Sequence, residues 1–295
     1  MKRQNIDKGV RSAFTGIALF SITALFLIML FLVKEGVPIF ETVSVKDFIT
    51  GNYWYPTDSD PAFGILPLIT GSFVVTIFSG LIAIPLGIMT AIYLAEIAPR
   101  KVAEIVKPIV ELMASMPSVV LGFFGMVVVA PFIQQLFDVP VGLNIFNASL
   151  MLAFMAIPTI CSISEDAIFS VPAALKEASF ALGATHFETI FKVTVPASIS
   201  GICTAIILGL SRAVGETMVV LMAAGGAAMM PGSIFDPSRP MPASIAAEMA
   251  EAPYGSDHYH ALFAIGVILF IFTFLFNIVA DYISHRFRQV GEASL

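Results

Sequence analysis

Long apolar runs alternate with short polar segments along most of this chain. A helix that crosses the hydrocarbon core of a bilayer, about 30 Å thick, needs about 20 apolar residues at a rise of 1.5 Å per residue. Runs of about this length recur through the sequence, and the pattern predicts an all-α integral membrane protein with about six transmembrane helices. The six predicted spans are 13–33, 66–95, 109–133, 148–164, 199–226 and 260–282.

The composition agrees with a membrane location. Of the 295 residues, 58% are hydrophobic and 12% are charged, whereas soluble domains carry about 25% charged residues. The net charge of −6 and the lack of clustered Lys and Arg in the sequence argue against a nucleic-acid partner. Cys161 and Cys203 lie inside apolar runs, which favours packing roles over redox or metal-binding roles.

The distribution of basic residues predicts how the chain crosses the membrane. With the N-terminus inside, the outer segments hold Lys34, Lys46 and Arg239, and all other Lys and Arg outside the spans are inner residues. Because inner loops are enriched in Lys and Arg, this predicts that both termini are cytoplasmic and that the number of spans is even. The inner residues are Lys2, Arg3, Lys8, Arg11, Arg100, Lys101, Lys107, Lys176, Lys192, Arg286 and Arg288.

A polar stretch, "KEASFALGATHFETIFKVTVP" (176–196), separates the fourth and fifth predicted spans. Helix-favouring residues lead into it, Gly183 interrupts it, and Pro196 is expected to end it. Phe187, Ile190 and Phe191 recur at a spacing that predicts one apolar helix face. The pattern predicts a short, bent, amphipathic element at the inner membrane surface. Its mixed charges favour a protein partner over the lipid headgroups that a basic amphipathic helix would bind.

This stretch resembles the signature of bacterial ABC-importer permeases, which is E-A-A, three residues, G, nine residues and I-x-L-P. Here Glu177-Ala178-Ser179 is followed at the family spacing by Gly183 and by Val193-Thr194-Val195-Pro196. In that family the element is a coupling helix that sits in a cleft of a cytoplasmic ATPase subunit. The resemblance implies that the residues which couple this chain to an ATPase are Glu177, Ala178, Gly183, Phe187 and Pro196.

Other stretches extend the resemblance to the phosphate-specific ABC-importer permeases. They are "EGVPIF" (35–40), which is similar to the Pst C-type subunit, "ELMASMPSVVLGFFG" (111–125), "LGLSRAVGETMVV" (208–220) and "HYHALFAIGVILF" (258–270). The resemblance implies a type I ABC-importer permease fold with a cytoplasmic coupling helix, in a bacterial inner membrane. It also implies that the chain is not an enzyme and forms half of the translocation path for inorganic phosphate.

The resemblance further implies an organisation and a set of partners. The expected units are a cytoplasmic N-terminus with the first anchor helix (1–33), an extracytoplasmic loop (34–65), a permease core of about five helices (66–282) and a cytoplasmic tail (283–295), with a coupling segment at 165–198. The expected partners are a second permease subunit, a cytoplasmic ATPase dimer, an extracytoplasmic phosphate-binding protein and membrane lipid. No cofactor is expected in this chain, because its sequence contains no phosphate-binding P-loop, and ATP would be used by the partner.

Arg212 and Glu216 stand about midway along the fifth predicted span, where each ionised group costs about 2.5–3.5 kcal/mol. A spacing of four predicts that both lie on one helix face. Two interpretations are open: a structural ion pair that locks two helices, or a path in which Arg212 binds a tetrahedral oxyanion and Glu216 pairs with it when the path is empty. Thr217 and Ser211 could donate to the anion or bond their own backbone.

Alternative functions also remain open. The chain could carry a related oxyanion such as phosphonate, sulfate or molybdate, or act as an ion-coupled secondary anion transporter, although the sequence shows no clear internal repeat. It could also be a membrane scaffold or sensor, which would leave the charge pair unexplained. Asp257, His258 and His260 are close in sequence, but no metal site is predicted from them.

Overall fold

The structure is a computed structural model that describes residues 2–288, with side chains described for 10–279, 281 and 282. Residues 289–295 of the predicted tail lie outside the described residues. The helices are α1 (Lys2–Gly36), α2 (Val45–Thr50), α3 (Leu66–Ile92), α4 (Arg100–Ser115), α5 (Ser118–Phe124), α6 (Ala130–Phe137), α7 (Ile145–Phe169), α8 (Ala173–Ala181), α9 (His186–Thr189), α10 (Val195–Ala197), α11 (Ile199–Val214), α12 (Met218–Ala223), α13 (Met241–Glu248) and α14 (Asp257–Arg288).

Short irregular elements extend or join these helices. A 3-10 turn (Val37–Glu41) follows α1, and π turns follow α3 (Tyr93–Ile97), α5 (Gly125–Val129) and α9 (Ile190–Thr194). Two strands, β1 (Trp54–Tyr55) and β2 (Ala62–Phe63), pair antiparallel with Trp54 opposite Phe63 and Tyr55 opposite Ala62.

Five helical segments within the described residues are long and apolar enough to cross a membrane. A sixth is formed by His186–Ala197 together with Ile199–Val214, two parts that are bent by 68° at their junction. We take α11 as the crossing part, because the first part carries the exposed side chains of Glu188 and Lys192. The prediction of about six transmembrane helices is therefore confirmed. The five continuous segments are Val10–Glu41, Leu66–Ile97, Ser118–Phe137, Ile145–Phe169 and Asp257–Val279.

The third predicted span, 109–133, was placed wrongly. The chain breaks at Met116 and Pro117, and the membrane-spanning segment begins at Ser118. The residues before this break form α4, a separate amphipathic helix in which no residue is fully buried. A proline restricts the residue before it to extended conformations, so Pro117 separates α4 from the span.

The fifth predicted span, 199–226, was also too long. Helix α11 ends at Val214, and α12 begins at Met218 after a short non-helical connection that contains Gly215. Gly225 and Gly226 then adopt positive φ angles of 89° and 69°, a conformation that glycine tolerates and other residues resist. The predicted span is therefore broken near Gly215, and helical structure ends at Ala223.

Helix α7, the shortest predicted span, lies at the centre of the bundle. It packs extensively against α3 and α11. About two thirds of the residues in its most apolar stretch are buried. Ile160 of α7 is fully buried, and a Cβ added at Gly87 of α3 or at Gly209 of α11 would lie 2.8 Å or 2.5 Å from its side chain. These glycines let three helices approach closely, which is how packing is achieved in membranes, where small residues line helix contacts.

A second apolar cluster covers one end of the bundle, which the predicted orientation places outside the cell. It unites Phe48 of α2, Trp54 of β1 and Met241 of α13 with residues at the start of α3 and α14. The predicted loop 34–65 and the segment 227–259 are therefore ordered by packing. At the periphery, α1 packs against α14, and most of its apolar side chains, such as Phe20, are exposed where lipid would cover them.

Candidate functional site

The polar stretch between α7 and α11 folds into short helices joined by turns. We call residues 173–197, which lie inside the predicted segment 165–198, the coupling segment after the role that the resemblance implies. Helix α8 ends at Ala181, the chain reverses through Gly183 at a φ of 85°, and α9 begins at His186. A Cβ at Gly183 would meet no atom within 4 Å, so the requirement for glycine is conformational. The predicted interruption at Gly183 is confirmed.

The end of the coupling segment differs from the prediction. Pro196 does not end the segment, because it lies in the first turn of α10, where a missing N–H is tolerated. The sharp bend follows at Ser198, which has φ −95° and ψ 3°. The coupling segment therefore continues directly from the π turn into the bend that precedes α11.

The apolar side chains of the coupling segment point in two directions. Phe187 and Phe191 are exposed and stack on each other, with ring centroids 6.2 Å apart. Ile190 is instead buried, in the π turn that packs against α8. The prediction that all three share one face is therefore wrong, because the wider π turn begins at Ile190 and changes the helical register there.

The exposed surface of the coupling segment carries the residues that the resemblance assigns to ATPase contact. Exposed residues also surround the turn at Gly183, where Leu182 is 90% exposed. This surface presents apolar and charged groups together, as expected of a protein contact. The five assigned residues, all exposed, are Glu177, Ala178, Gly183, Phe187 and Pro196.

Local hydrogen bonds hold the second half of the coupling segment together. Thr185 Oγ1 accepts from the backbone N–H of Glu188 at 3.3 Å, and Glu188 Oε2 accepts from the backbone N–H of Thr185 at 3.0 Å. This is a capping box. The N–H of Thr185 is the largest cause that lowers the pKa of Glu188 from 4.5 to about 2, followed by Lys192 at 3.1 Å. Glu188 therefore stays ionised throughout the physiological pH range.

Two ion pairs that the sequence did not reveal lie near the base of the coupling segment. Lys176 Nζ of α8 lies 2.5 Å from Glu96 Oε1, in the π turn that follows α3. Lys107 Nζ of α4 lies 3.3 Å from Glu165 Oε1 of α7. Both carboxylates are largely buried, and each is separated from its lysine by more than 50 residues of chain. Sequence spacing therefore gave no signal of either contact.

The structure does not bring Arg212 and Glu216 together in the predicted way. Arg212 occupies the last turn of α11, whereas Glu216 lies beyond the end of that helix. The expectation that both share a helix face is therefore wrong, because α11 ends at Val214. No ion pair joins these two residues in the described part of the chain.

Arg212 and Glu216 instead have separate surroundings. The Arg212 side chain is exposed and adjoins the C-terminal end of α11, where a cation is favoured. Glu216 Oε1 accepts from the backbone N–H groups of Met218 and Val219 at the start of α12. The hydroxyl of Thr217 donates to the carbonyl of Gly215, so it bonds its own backbone, as one of the two interpretations held.

A network at the opposite end of the molecule centres on Glu248 of α13. Its carboxylate accepts from Trp54 Nε1 at 3.0 Å and from Arg239, and lies 2.8 Å from His258 Nε2. Arg239 Nε also donates to the carbonyl of Gly226 at 2.6 Å. The network borders an open depression of about 740 Å³.

His258 and His260, for which the sequence predicts no metal site, have protein partners. His260 Nδ1 lies 2.7 Å from the carbonyl oxygen of Glu35, and His258 contacts Glu248 as described. Within the described residues, no group of three or more His, Cys, Asp or Glu side chains is arranged to hold a metal ion.

The described residues thus form a helical membrane bundle with an exposed, charged segment at one end and an exposed arginine, Arg212, in the last turn of α11. The chain belongs to the family "Binding-protein-dependent transport system inner membrane component", whose model matches residues 83–289. It is therefore a permease subunit of an ABC importer rather than an enzyme.

Three comparisons describe its relatives. The chain is 42% identical to the "Probable ABC transporter permease protein YqgH" of Bacillus subtilis (strain 168), a match that covers 94% of this chain and 90% of that protein. It is 35% identical to the "Phosphate transport system permease protein PstC" of Mesorhizobium japonicum, over 81% and 78% of the two chains. A crystal structure of a bacterial alginate ABC transporter superposes with a TM-score of 0.63 at 16% identity and covers 97% of both chains. The type I permease fold is thereby established.

Proposed function

We propose that this chain is one of two permease subunits that enclose the route for inorganic phosphate in an ATP-driven importer. The main support is the exposed coupling segment with its family signature, in a chain 35% identical to a protein named as a phosphate transport permease. The ATPase dimer binds the coupling segment, and this chain itself needs no cofactor. A phosphate-binding protein delivers substrate to the opposite end.

The exposure of Arg212 supports its assignment to the substrate path. A guanidinium at a membrane-spanning helix is costly against lipid, and this one faces outward from the isolated chain without an ion-pair partner among the described residues. A second permease subunit that packs against this face would enclose Arg212 in a polar route. Its fixed donors and permanent charge suit a tetrahedral oxyanion.

Glu216 and Thr217 take supporting roles in this proposal. Glu216 binds the start of α12 and is half-buried beside Ser72 and Thr76 of α3. Its negative charge close to the path keeps phosphate from binding tightly, which transport requires. Thr217 fixes the connection between α11 and α12 through its bond to Gly215.

The proposed orientation places both termini and the coupling segment, within 165–198, in the cytoplasm, and the segments 34–65 and 227–259 outside. The Lys and Arg distribution of the sequence supports it. The Glu248 network then lies on the outer face, where the binding protein docks. The site of action is the inner membrane of a bacterial cell.

The test is purification of the labelled chain with its partners from detergent extract, followed by uptake in proteoliposomes. We expect an ATPase subunit to be recovered, and [³²P]phosphate uptake that requires ATP and resists competition by sulfate. Uptake by the chain alone without ATP would favour an ion-coupled carrier. Competition by sulfate, molybdate or phosphonate would instead assign the path to a related oxyanion.

A further inference from the structure

Two lysine–glutamate pairs at one end of the bundle connect elements that are distant in sequence. Lys176 with Glu96 joins the coupling segment to the end of α3, and Lys107 with Glu165 joins α4 to the end of α7. The same end holds an apolar cluster that includes Leu94, two residues before Glu96. The first pair differs from the second because it reaches a segment that projects from the bundle.

Helix α3 is well placed to pass a force from Glu96 into the membrane. It packs along α7 and also contacts α11. Gly87, fewer than three helical turns from Glu96, abuts Ile160 at the centre of the bundle. A displacement of the end of α3 must therefore move the packed centre, because close-packed interiors do not deform freely.

The coupling segment has few other lateral attachments. Helix α8 packs chiefly against the π turn Ile190–Thr194 and against α9, both within the same segment. The segment is otherwise tied to the bundle through its covalent ends at α7 and α11 and through Val195, which packs against the apolar cluster that contains Leu94 and Ile202. Among the described residues, the Lys176–Glu96 contact is thus the one ion pair that joins this segment to an element distant in sequence. That element is the π turn after α3.

The environment of the pair makes the contact persistent. The side chains are 24% exposed for Lys176 and 9% for Glu96, so solvent ions screen their attraction less than at an open surface. Removing the lysine would leave a largely buried carboxylate without its counter-charge, which is strongly unfavourable. The two elements are therefore expected to move together.

We propose that Lys176 and Glu96 are positioning residues that transmit movement of the coupling segment into α3, and through α3 into α7 and α11. This rests on the proposed function, in which an ATPase moves the coupling segment. Nucleotide-driven closure then acts on the bundle through the two chain connections, through the apolar contact of Val195 and through this ion pair. Loss of the pair leaves ATPase docking intact but weakens the coupling between hydrolysis and transport.

The test uses the complete importer with the variants Lys176→Glu, Glu96→Lys and the doubly swapped protein. The readouts are recovery of the ATPase, basal ATP hydrolysis, and [³²P]phosphate transported per ATP in proteoliposomes with phosphate-loaded binding protein. We expect each single variant to retain the ATPase and its basal activity and to lose about tenfold in transport per ATP, within the usual range of coupling energies. The swapped protein should recover most of this loss.

Two matched pairs serve as controls. Lys107→Glu and Glu165→Lys reverse a similar pair at the same end that does not touch the coupling segment. Arg100→Gln breaks an exposed pair with Glu104 that lies outside the coupling segment. We expect each control variant that assembles to keep its transport per ATP.

Several outcomes would overturn the proposal: normal transport per ATP in both single variants, an equal loss in the controls, or no recovery in the swapped protein. If a single variant does not assemble, the swapped protein decides, since restored assembly with coupled transport supports the proposal and restored assembly with uncoupled hydrolysis contradicts it. A swapped protein that does not assemble also counts against it. Failure of the proposed function is separate, because the unmodified chain would then recover no ATPase or transport no phosphate.

Discussion

Ser179 Oγ and Thr189 Oγ1 lie 2.9 Å apart, and both residues are buried. This bond joins α8 to α9 on the two sides of the turn at Gly183. Ser179 stands where the family signature has its second alanine. The serine supplies a hydroxyl that pairs with Thr189 and thereby links the two halves of the coupling segment.

The first prediction concerns this hydroxyl pair. Ser179→Ala leaves the Thr189 hydroxyl buried without a partner, which costs about 1–3 kcal/mol. The expected result is a lower Tm of the purified chain in detergent, with Thr189→Val having a similar effect. The fall in Tm of the double variant should be smaller than the sum of the two single falls, because the double variant removes both polar groups together.

Ser115→Ala is the control for that experiment, since the Ser115 hydroxyl is exposed and bonds only its own helix. Its Tm should stay close to that of the unmodified chain. Strictly additive effects of the Ser179 and Thr189 substitutions would show that the two hydroxyls do not interact.

The second prediction concerns the turn at Gly183. Gly183→Ala forces a non-glycine residue to a φ of 85°, at a cost of about 1–2 kcal/mol, and should reduce both Tm and recovery of the ATPase. Gly215→Ala is the matched control, because Gly215 has a φ of −91° and nothing within 4 Å of an added Cβ. Equal effects at both glycines would contradict a conformational requirement at Gly183.

The third prediction concerns Arg212. Arg212→Gln removes the permanent charge proposed to bind the oxyanion, and phosphate uptake should fall by at least about tenfold while the ATPase is still recovered. Arg212→Lys should retain part of the activity, because it keeps the charge but not the fork of donors. Arg100→Gln, at an exposed ion pair with Glu104, is the control and should transport normally. Unchanged uptake by Arg212→Gln would remove Arg212 from the path.

The fourth prediction concerns the outer network. Glu248→Ala leaves Arg239 and the largely buried His258 without their shared partner, which should cost roughly 3 kcal/mol. Trp54 is the single tryptophan of the chain and loses the acceptor of its N–H. Its fluorescence emission maximum should therefore shift, and the Tm should fall. Glu251→Ala alters an exposed carboxylate in the turn that follows α13 and should change neither; equal shifts in both variants would argue against the network.

The hydrophobic pattern predicted the number of spans well but misplaced two boundaries. Run length alone merged α4 with the third span, although Lys107 and Glu111 give α4 a polar side that a span would avoid. It likewise carried the fifth span past Gly215, where the helix ends. In both places a local backbone break overrides the average apolar character of the surrounding residues.

The polar stretch was predicted as an exposed, bent helical element, because charge and the position of Gly183 are local properties of the sequence. The contacts of Glu96, Glu165 and Glu248 were not predicted. Each depends on a partner brought near by the packing of helices, and Glu248 meets Trp54 across 194 residues of chain. The pairing expected for Arg212 and Glu216 failed for a related reason, since spacing implies proximity only while the helix continues.

The central claim, that the coupling segment projects into the cytosol against an ATPase, is tested most directly by cysteine accessibility. Leu182→Cys is placed on the 90% exposed tip of the segment and Tyr254→Cys on the 84% exposed outer loop, each with Cys161 and Cys203 replaced by Ala. A membrane-impermeant maleimide should label Leu182→Cys only in inside-out vesicles, with labelling blocked by the bound ATPase, and Tyr254→Cys only from the opposite side. Labelling of Leu182→Cys in intact spheroplasts, or no protection by the ATPase, would contradict the account.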